Sequence, residues 1–273
     1  MKIYPCAKIN LGLNVVCRRS DGYHDLETVF YPVDIFDEIE INTLLDKDDY
    51  GACSLTIQGM PIEGSAENNL IVKAYRMLNE RYNLPSVHIN LTKRIPMQAG
   101  MGGGSSDCAY TIRLLNEMFK LNLTKECMRE YAATLGADCA FFIDPQPAFA
   151  EGIGDKLTPI DICLSNYKML IVKPDIAVST KEAFSLITPH KPLECCRDII
   201  SRPIETWRNG LVNDFERSIF TLYPAIGDIK KKLYDMGAIY ASMSGSGSAL
   251  FGIFNDTPPE FEKSFENCYT YII

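Results

Sequence analysis

Apolar and polar positions alternate over residues 6–17, with Ala7, Ile9, Leu11, Leu13 and Val15 on one side and Lys8, Asn10, Gly12 and Asn14 on the other. This period of two predicts a half-buried strand. Strand signals return over 28–33 and 37–43, the latter pairing Glu38 and Glu40 with Ile39 and Ile41. Residues 44–66 are turn-rich around one strand-like run, 53–57. Leu70, Ile71, Ala74, Met77 and Leu78 then recur at helical spacing, and 87–91 reads as a strand. Cys108, Ala109, Ile112, Leu115, Met118 and Phe119 mark one buried helix face, and 124–135 predicts another helix with Thr124 as its cap. Further on, 168–172 reads as a strand, and Ser179-Thr180-Lys181-Glu182 matches a capping box opening a helix through Leu186. Helical stretches are expected at 194–200 and 216–236, and strands at 238–243, 249–254 and 269–273. No internal repeat or low-complexity tract interrupts this mixture.

The stretch that the pattern does not explain runs from Ile95 to Asp107, between the strand at 87–91 and the helix face that begins at Cys108. It reads Ile-Pro-Met-Gln-Ala-Gly-Met-Gly-Gly-Gly-Ser-Ser-Asp. Glycine tolerates positive φ and lets a backbone approach a ligand, at an entropic cost that a purely structural loop rarely accepts. Free amides and the positive end of the helix dipole make such a loop-helix junction an anion site, most naturally for nucleotide phosphates. Ser105 and Ser106 add hydroxyls, one to cap the helix and the other to reach phosphate or a metal-bound water. The plainer reading, a flexible linker, fits poorly because glycine-rich linkers rarely abut so regular a helix. No GxxxxGK[ST] pattern occurs, which excludes a P-loop, and the GxGxxG spacing from Gly100 meets Ser105 where its last glycine belongs. A dinucleotide oxidoreductase is therefore disfavoured.

Composition narrows the partner. With 273 residues, 47% of them apolar, the chain can fill one large core or two medium ones. A net charge of −8, from 27 basic and 35 acidic residues, argues against nucleic acid or an anionic membrane and for a soluble metabolite. The start lacks the apolar core of a signal peptide, and no run of about eighteen apolar residues occurs, so a cytoplasmic location is expected. The ten cysteines lie mostly in apolar segments without a CxxC pair, and there are three histidines. They read as reduced core residues, with neither a zinc site nor a disulfide framework.

Other candidates are single residues whose setting leaves two readings open. Lys8 is the one charge on the polar side of its strand; it is either an exposed edge lysine or part of a site. After the Asp21-Gly22 turn, Tyr23 and His24 are either a packed hairpin end or a stacking and hydrogen-bonding pair. Asn68 or Asn69 caps the next helix or contacts a base. Asp138 follows Gly136 into an apolar run, where it caps a turn or, near a lysine such as Lys8, serves as a general base. Thr180 opens a helix or faces a phosphate. Ser244-Gly245-Ser246-Gly247-Ser248 is a hairpin turn or closes over a substrate. Glu151-Gly152-Ile153-Gly154-Asp155 is the expected domain boundary.

Three stretches together carry a family resemblance: Ala7 to Leu13 with Asp21-Gly22-Tyr23-His24, then Pro96 to Asp107, then Ser244 to Gly247. They resemble the three motifs of the GHMP kinases, the superfamily of galactokinase, homoserine kinase and mevalonate kinase. Within it, the first stretch and the run Gly102 to Asp107 are similar to the branch acting on 4-diphosphocytidyl-2-C-methyl-D-erythritol. Cys6 between Pro5 and Ala7, and Met101 in place of leucine, depart from the pattern without removing a functional group. The resemblance implies an α+β protein of two domains, residues 1–157 like the second domain of ribosomal protein S5 and 158–273 ferredoxin-like, with the active site between them. It implies ATP and Mg²⁺, a small cytidine-diphosphate substrate, and phosphoryl transfer to a hydroxyl. Lys8 and Asp138 match the catalytic pair. Pro96, Met97, Gln98, Ala99, Gly100, Met101, Gly102, Gly103, Gly104, Ser105 and Ser106 match the phosphate loop, with Ser105 or Ser106 as the candidate metal contact. Asn68 and Asn69 fall where adenine is approached. Tyr23 and His24 would hold cytosine by stacking and hydrogen bonding, and Asn10, Thr180, Gly245 and Ser246 complete the implied substrate contacts.

Overall fold

The computed structural model describes residues 1–44, 51–62 and 64–273, so part of the turn-rich 44–66 expectation lies outside the described residues. Strands β1 (Lys2–Ile3), β2 (Cys6–Arg18), β3 (His24–Phe36), β4 (Glu38–Thr43) and β5 (Cys53–Gly59) come first. Helix α1 (Leu70–Tyr82), strand β6 (Val87–Lys93), helices α2 (Gly103–Met118) and α3 (Lys125–Leu135) and the 3₁₀ segment Ala137–Ile143 follow. Then come β7 (Ala148–Gly152), β8 (Lys156–Pro159), β9 (Lys168–Pro174), α4 (Thr180–Ser185) and α5 (Cys196–Ile200). The chain continues through α6 (Phe215–Leu222), α7 (Pro224–Asp235), β10 (Tyr240–Met243), β11 (Leu250–Phe254), α8 (Phe261–Ser264) and β12 (Cys268–Ile272). These elements form two compact units, one of Met1–Ala7, Val33–Met97 and Gly102–Pro145, the other of Lys8–Pro32, Gln98–Met101 and Gln146–Ile273.

The first unit is built on a sheet ordered β1-β4-β6-β5, in which β5 runs parallel to β6 and the other pairs are antiparallel. Alternation decides its faces. Ile39 and Ile41 of β4 and Val87, Ile89 and Leu91 of β6 are buried, while Glu38, Glu40, His88 and Asn90 take the opposite phase. Helices α1, α2 and α3 pack together, α1 offering Ile71, Val72, Ala74, Tyr75 and Leu78. Asn69 caps α1 by accepting from the Ile71 amide at 2.9 Å, and Thr124 caps α3 through the Cys127 amide at 3.2 Å.

The second unit holds the sheet β2-β3-β7-β8, apart from the start of β2 and the end of β3, and the sheet β10-β11-β9-β12. The latter is antiparallel throughout, its strands lying fourth-first-third-second by chain order in a ferredoxin-like arrangement. Leu170, Val172, Met243 and Leu250 form its core with Phe215, Ile219, Ile226 and Leu233 of α6 and α7. Residues 151–155, expected as a boundary, turn the β7–β8 hairpin, where Asp155 accepts from the Ile153 amide at 3.1 Å.

Four expectations change. Strand β2 is buried on both faces from Cys6 to Val15, not half-buried, because on its polar side Gly12 lies against Leu211 and Cys196 and Asn14 bonds to Asp214. The helix expected over 216–236 is two helices, since Pro224 cannot donate to the preceding turn and instead starts α7 at its first position. No capping box forms at α4: Glu182 accepts from the Tyr223 hydroxyl at 3.2 Å, and the Ser179 side chain makes no cap bond. Only Cys6, Cys108, Cys139 and Cys196 are buried, while Cys17 and Cys163 are exposed. Among the described residues no helix is long and apolar enough to cross a membrane.

Candidate functional site

The glycine stretch is shared between the two units, and each part has its own geometry. In the first unit, α2 starts directly after Gly102, whose φ of 70° is left-handed. Neither Ser105 nor Ser106 caps the helix, as both already lie inside its first turn. The amides of Gly103, Gly104 and Ser105 are the open donors of a helix start, and the Ser106 amide makes the first helical bond, to the Gly102 carbonyl at 2.8 Å. A Cβ on Gly104 would meet nothing within 4 Å, whereas one on Gly103 would sit 2.9 Å from Lys93 Nζ. Beside this turn lies a cavity of about 460 Å³ walled by Leu55, Ile57, Ile62, Leu70 and Met97, with Gly104 and Asn68 also on its lining. An apolar chamber beside an amide-rich helix start suits a nucleoside followed by its phosphates. Ser105 is half-buried, and the Ser106 hydroxyl is buried without a partner among the described residues. Asp138, half-buried, stands in the first turn of Ala137–Ile143. Among the described residues no three His, Cys, Asp or Glu side chains are grouped to hold a metal ion.

Beneath the first turn of α2 is a charge cluster that the sequence analysis did not single out. Lys93 Nζ bonds to Asp37 Oδ2 and, at 2.8 Å, to Asp107 Oδ2. Asp37 Oδ1 also accepts from the Arg94 and Ile95 amides at 2.5 and 2.8 Å, anchoring the entry to the loop. Burial opposes the Lys93 charge, but the two carboxylates outweigh it and hold its pKa above the ordinary value. Burial pushes Asp107 up to about 7, against the pull of Lys93. The available signal was Lys93 in the inward phase of β6, after Val87, Ile89 and Leu91: a charge there must find partners.

In the second unit, Lys8 is 3% exposed and is not an edge residue. Its Nζ donates to Asn10 Oδ1 at 2.6 Å and to the Gly100 carbonyl at 2.9 Å, and it lies 5.1 Å from the Phe30 ring centroid. The turn 244–248 joins β10 to β11 and is stitched to the glycine stretch. Ser244 Oγ donates to the Gly100 carbonyl at 2.9 Å, and the Ser248 and Ala249 amides donate to Gln98 and Ala99. Gly100, at φ 70°, has no room for a side chain, since a Cβ would stand 1.9 Å from the Ser244 carbonyl oxygen. Asn213 Nδ2 holds the turn through the Met243 and Gly245 carbonyls, and Thr180 Oγ1 meets Ser246 Oγ at 3.2 Å.

Asp21 accepts from the Tyr23 amide at 3.0 Å, leaving the Tyr23 ring 61% exposed. His24 stacks on Phe184 at 5.0 Å, and Phe184 packs edge-on against Phe215. Partial burial and the Arg18 charge hold the His24 pKa below its usual value, which favours a neutral imidazole. Phe184 is thus a third aromatic at this place, one that the short capping-box reading of residues 179–186 concealed.

Residues 69–146 match the model for the N-terminal domain of GHMP kinases, and 196–268 match that for their C-terminal domain. A 4-diphosphocytidyl-2-C-methyl-D-erythritol kinase of Bacteroides fragilis is 52% identical over 269 residues, covering 97% of both chains. The chain belongs to the GHMP kinases. Another relative of this GHMP kinase, with the same name and from Parabacteroides distasonis, is 45% identical over 99% of this chain and 98% of its own. A crystal structure of 4-(cytidine 5'-diphospho)-2C-methyl-D-erythritol kinase aligns with TM-score 0.79 at 28% identity, covering 100% of this chain and 98% of that one. A homoserine kinase from Cytophaga hutchinsonii shares the fold, with TM-score 0.68 at 17% identity over 98% of this GHMP kinase and 94% of its own chain.

Proposed function

We propose that this chain transfers the γ-phosphoryl group of ATP to the 2-hydroxyl of 4-diphosphocytidyl-2-C-methyl-D-erythritol, giving the 2-phosphate and ADP. This is a step of the non-mevalonate route to isopentenyl diphosphate. The observation that carries the reading is near full-length identity to relatives bearing that enzyme's name. The apolar cavity beside an open helix start supports ATP as the donor, and the aromatic group at Tyr23, His24 and Phe184 supports a cytosine-bearing acceptor.

Phosphoryl transfer demands position and charge stabilisation rather than new covalent chemistry from the protein. Asp138 takes the proton of the attacking hydroxyl, and Lys8 stabilises the negative charge that develops on that oxygen. The amides of Gly103, Gly104 and Ser105 receive the β- and γ-phosphates. Magnesium accompanying the ATP would neutralise phosphate charge and would ask for few protein groups. Ser105 or Ser106 is the hydroxyl offered to it. Asn68 and Asn69 border the base, while Asn10, Thr180, Gly245 and Ser246 serve the acceptor side. The reading divides the chain at 157/158 into an N-terminal ATP-binding domain and a C-terminal GHMP kinase domain, and sets the enzyme in the cytoplasm.

The test is ADP release from Mg-ATP with 4-diphosphocytidyl-2-C-methyl-D-erythritol offered beside methylerythritol phosphate, homoserine and mevalonate. Turnover with the cytidyl substrate alone is expected. Turnover with another alcohol instead would keep the chemistry and discard the cytosine reading.

A further inference from the structure

The Lys8 ammonium meets an amide oxygen, and that amide must be held the right way round. Asn10 presents Oδ1 to Lys8 at 2.6 Å, while its Nδ2 donates to Thr28 Oγ1 at 2.9 Å. Thr28 in turn donates its hydroxyl proton to the Gly12 carbonyl at 2.5 Å. Lys8, Asn10 and Thr28 are each at most 3% exposed, so water does not substitute for a missing partner.

The direction of this chain follows from its far end. A carbonyl only accepts, so the Thr28 proton points at Gly12, and Thr28 Oγ1 is left as an acceptor for Asn10. The Asn10 NH₂ therefore faces Thr28 and its oxygen faces Lys8. Reversed, the amide would set an NH₂ against the ammonium.

Gly12 explains why a carbonyl is aimed there in the middle of a strand. Its φ is +69°, a left-handed conformation inside β2 that side-chain-bearing residues rarely adopt. A Cβ would also stand 2.6 Å from Leu211 Cδ1 and 3.0 Å from Cys196 Cβ.

We infer that Thr28, oriented by the Gly12 carbonyl, is a positioning residue that fixes the Asn10 amide and through it the Lys8 ammonium. This rests on the catalytic reading of Lys8 under Proposed function. A misplaced charge costs rate more than affinity, because the charge that it stabilises exists only in the transition state.

The experiment is steady-state kinetics of Thr28→Val, which removes the hydroxyl at nearly constant volume, beside Thr28→Ser and Lys8→Met. Thr28→Val is expected to lower kcat about 10- to 100-fold with both KM values within about twofold, a loss typical of small misplacements of a reacting group. Thr28→Ser should recover most of kcat. If Thr28→Val does not fold, Thr28→Cys, which keeps the size and weakens both hydrogen bonds, is read in the same way. An unchanged kcat in Thr28→Val, or an equal loss in Thr28→Ser, overturns the inference. Lys8→Met separates the two failures: near-normal kcat there removes the catalytic reading itself, whereas loss there with a silent Thr28→Val removes only the role of Thr28.

Discussion

Lys93 Nζ lies 2.8 Å from Asp107 Oδ2, and neither residue is more than 3% exposed. With Asp37 on the same ammonium, two acids share one buried base, while Asp107 Oδ1 finds no partner among the described residues. Burial, and after it the neighbouring Asp37 carboxylate, makes Asp107 keep its proton more readily and raises it to about 7 against the pull of Lys93.

That rise sets a sign. Between the unfolded pKa of about 4 and the folded value, the folded chain binds more protons at Asp107, so this group's contribution to stability falls as pH rises through that window. Above about 7 the loss is complete. Asp107→Asn removes the penalty. Thermal melts from pH 4.5 to 8 should show the variant gaining on the parent as pH rises; a constant difference would refute the assignment.

Two glycines of the loop separate folding from binding. Gly100→Ala forces a Cβ onto the Ser244 carbonyl at positive φ, and a loss of about 2 kcal/mol or more is expected. Gly104→Ala meets no atom within 4 Å and, in a helix, gains up to about 1 kcal/mol. Its methyl group is introduced at a position on the cavity lining, so KM for ATP should rise while the melting temperature does not fall. Melting and ATP kinetics of the two variants check this contrast.

Asp138→Asn should lower kcat by about 10² to 10⁴, the usual weight of a general base, with little change in either KM. Single-turnover rates at saturating ATP read the chemical step directly. Near-normal rates would take Asp138 out of that role.

His24 stacks on Phe184, and truncating Phe184 or Tyr23 to alanine should raise KM for the cytidyl substrate about 2- to 10-fold while leaving KM for ATP alone. Because its pKa is depressed, His24 stays neutral through the neutral range. KM for the cytidyl substrate should thus be flat from pH 7 upward and rise only in acid, below the ordinary histidine value, where protonation changes the ring's hydrogen bonding.

Local patterns were legible wherever a residue's role depends on its near neighbours. Alternation located β2 and β6, helical spacing located α1 and the buried side of α2, and Thr124 and Asn69 cap as side chains of their type do. The glycine stretch announced a strand-loop-helix junction because backbone freedom is a property of the residue itself. The cap expected from one of Ser105 and Ser106 does not form, for a reason equally local: Gly102 starts the helix earlier than the apolar face suggests.

Partners distant in the chain were not legible. Strand β2 alternates like a strand with one wet face, yet Asn14 and the Val15 amide bond to Asp214, about two hundred residues away, and Asn10 meets Ser244. The same holds for Lys93 with Asp37, for His24 with Phe184, and for Thr28 with Gly12 across two strands. Periodicity reports which side of an element is apolar, and residue type reports what chemistry is on offer. Which polar groups meet, and whether water is excluded where they do, depends on how distant segments pack, and no short window of sequence carries that information.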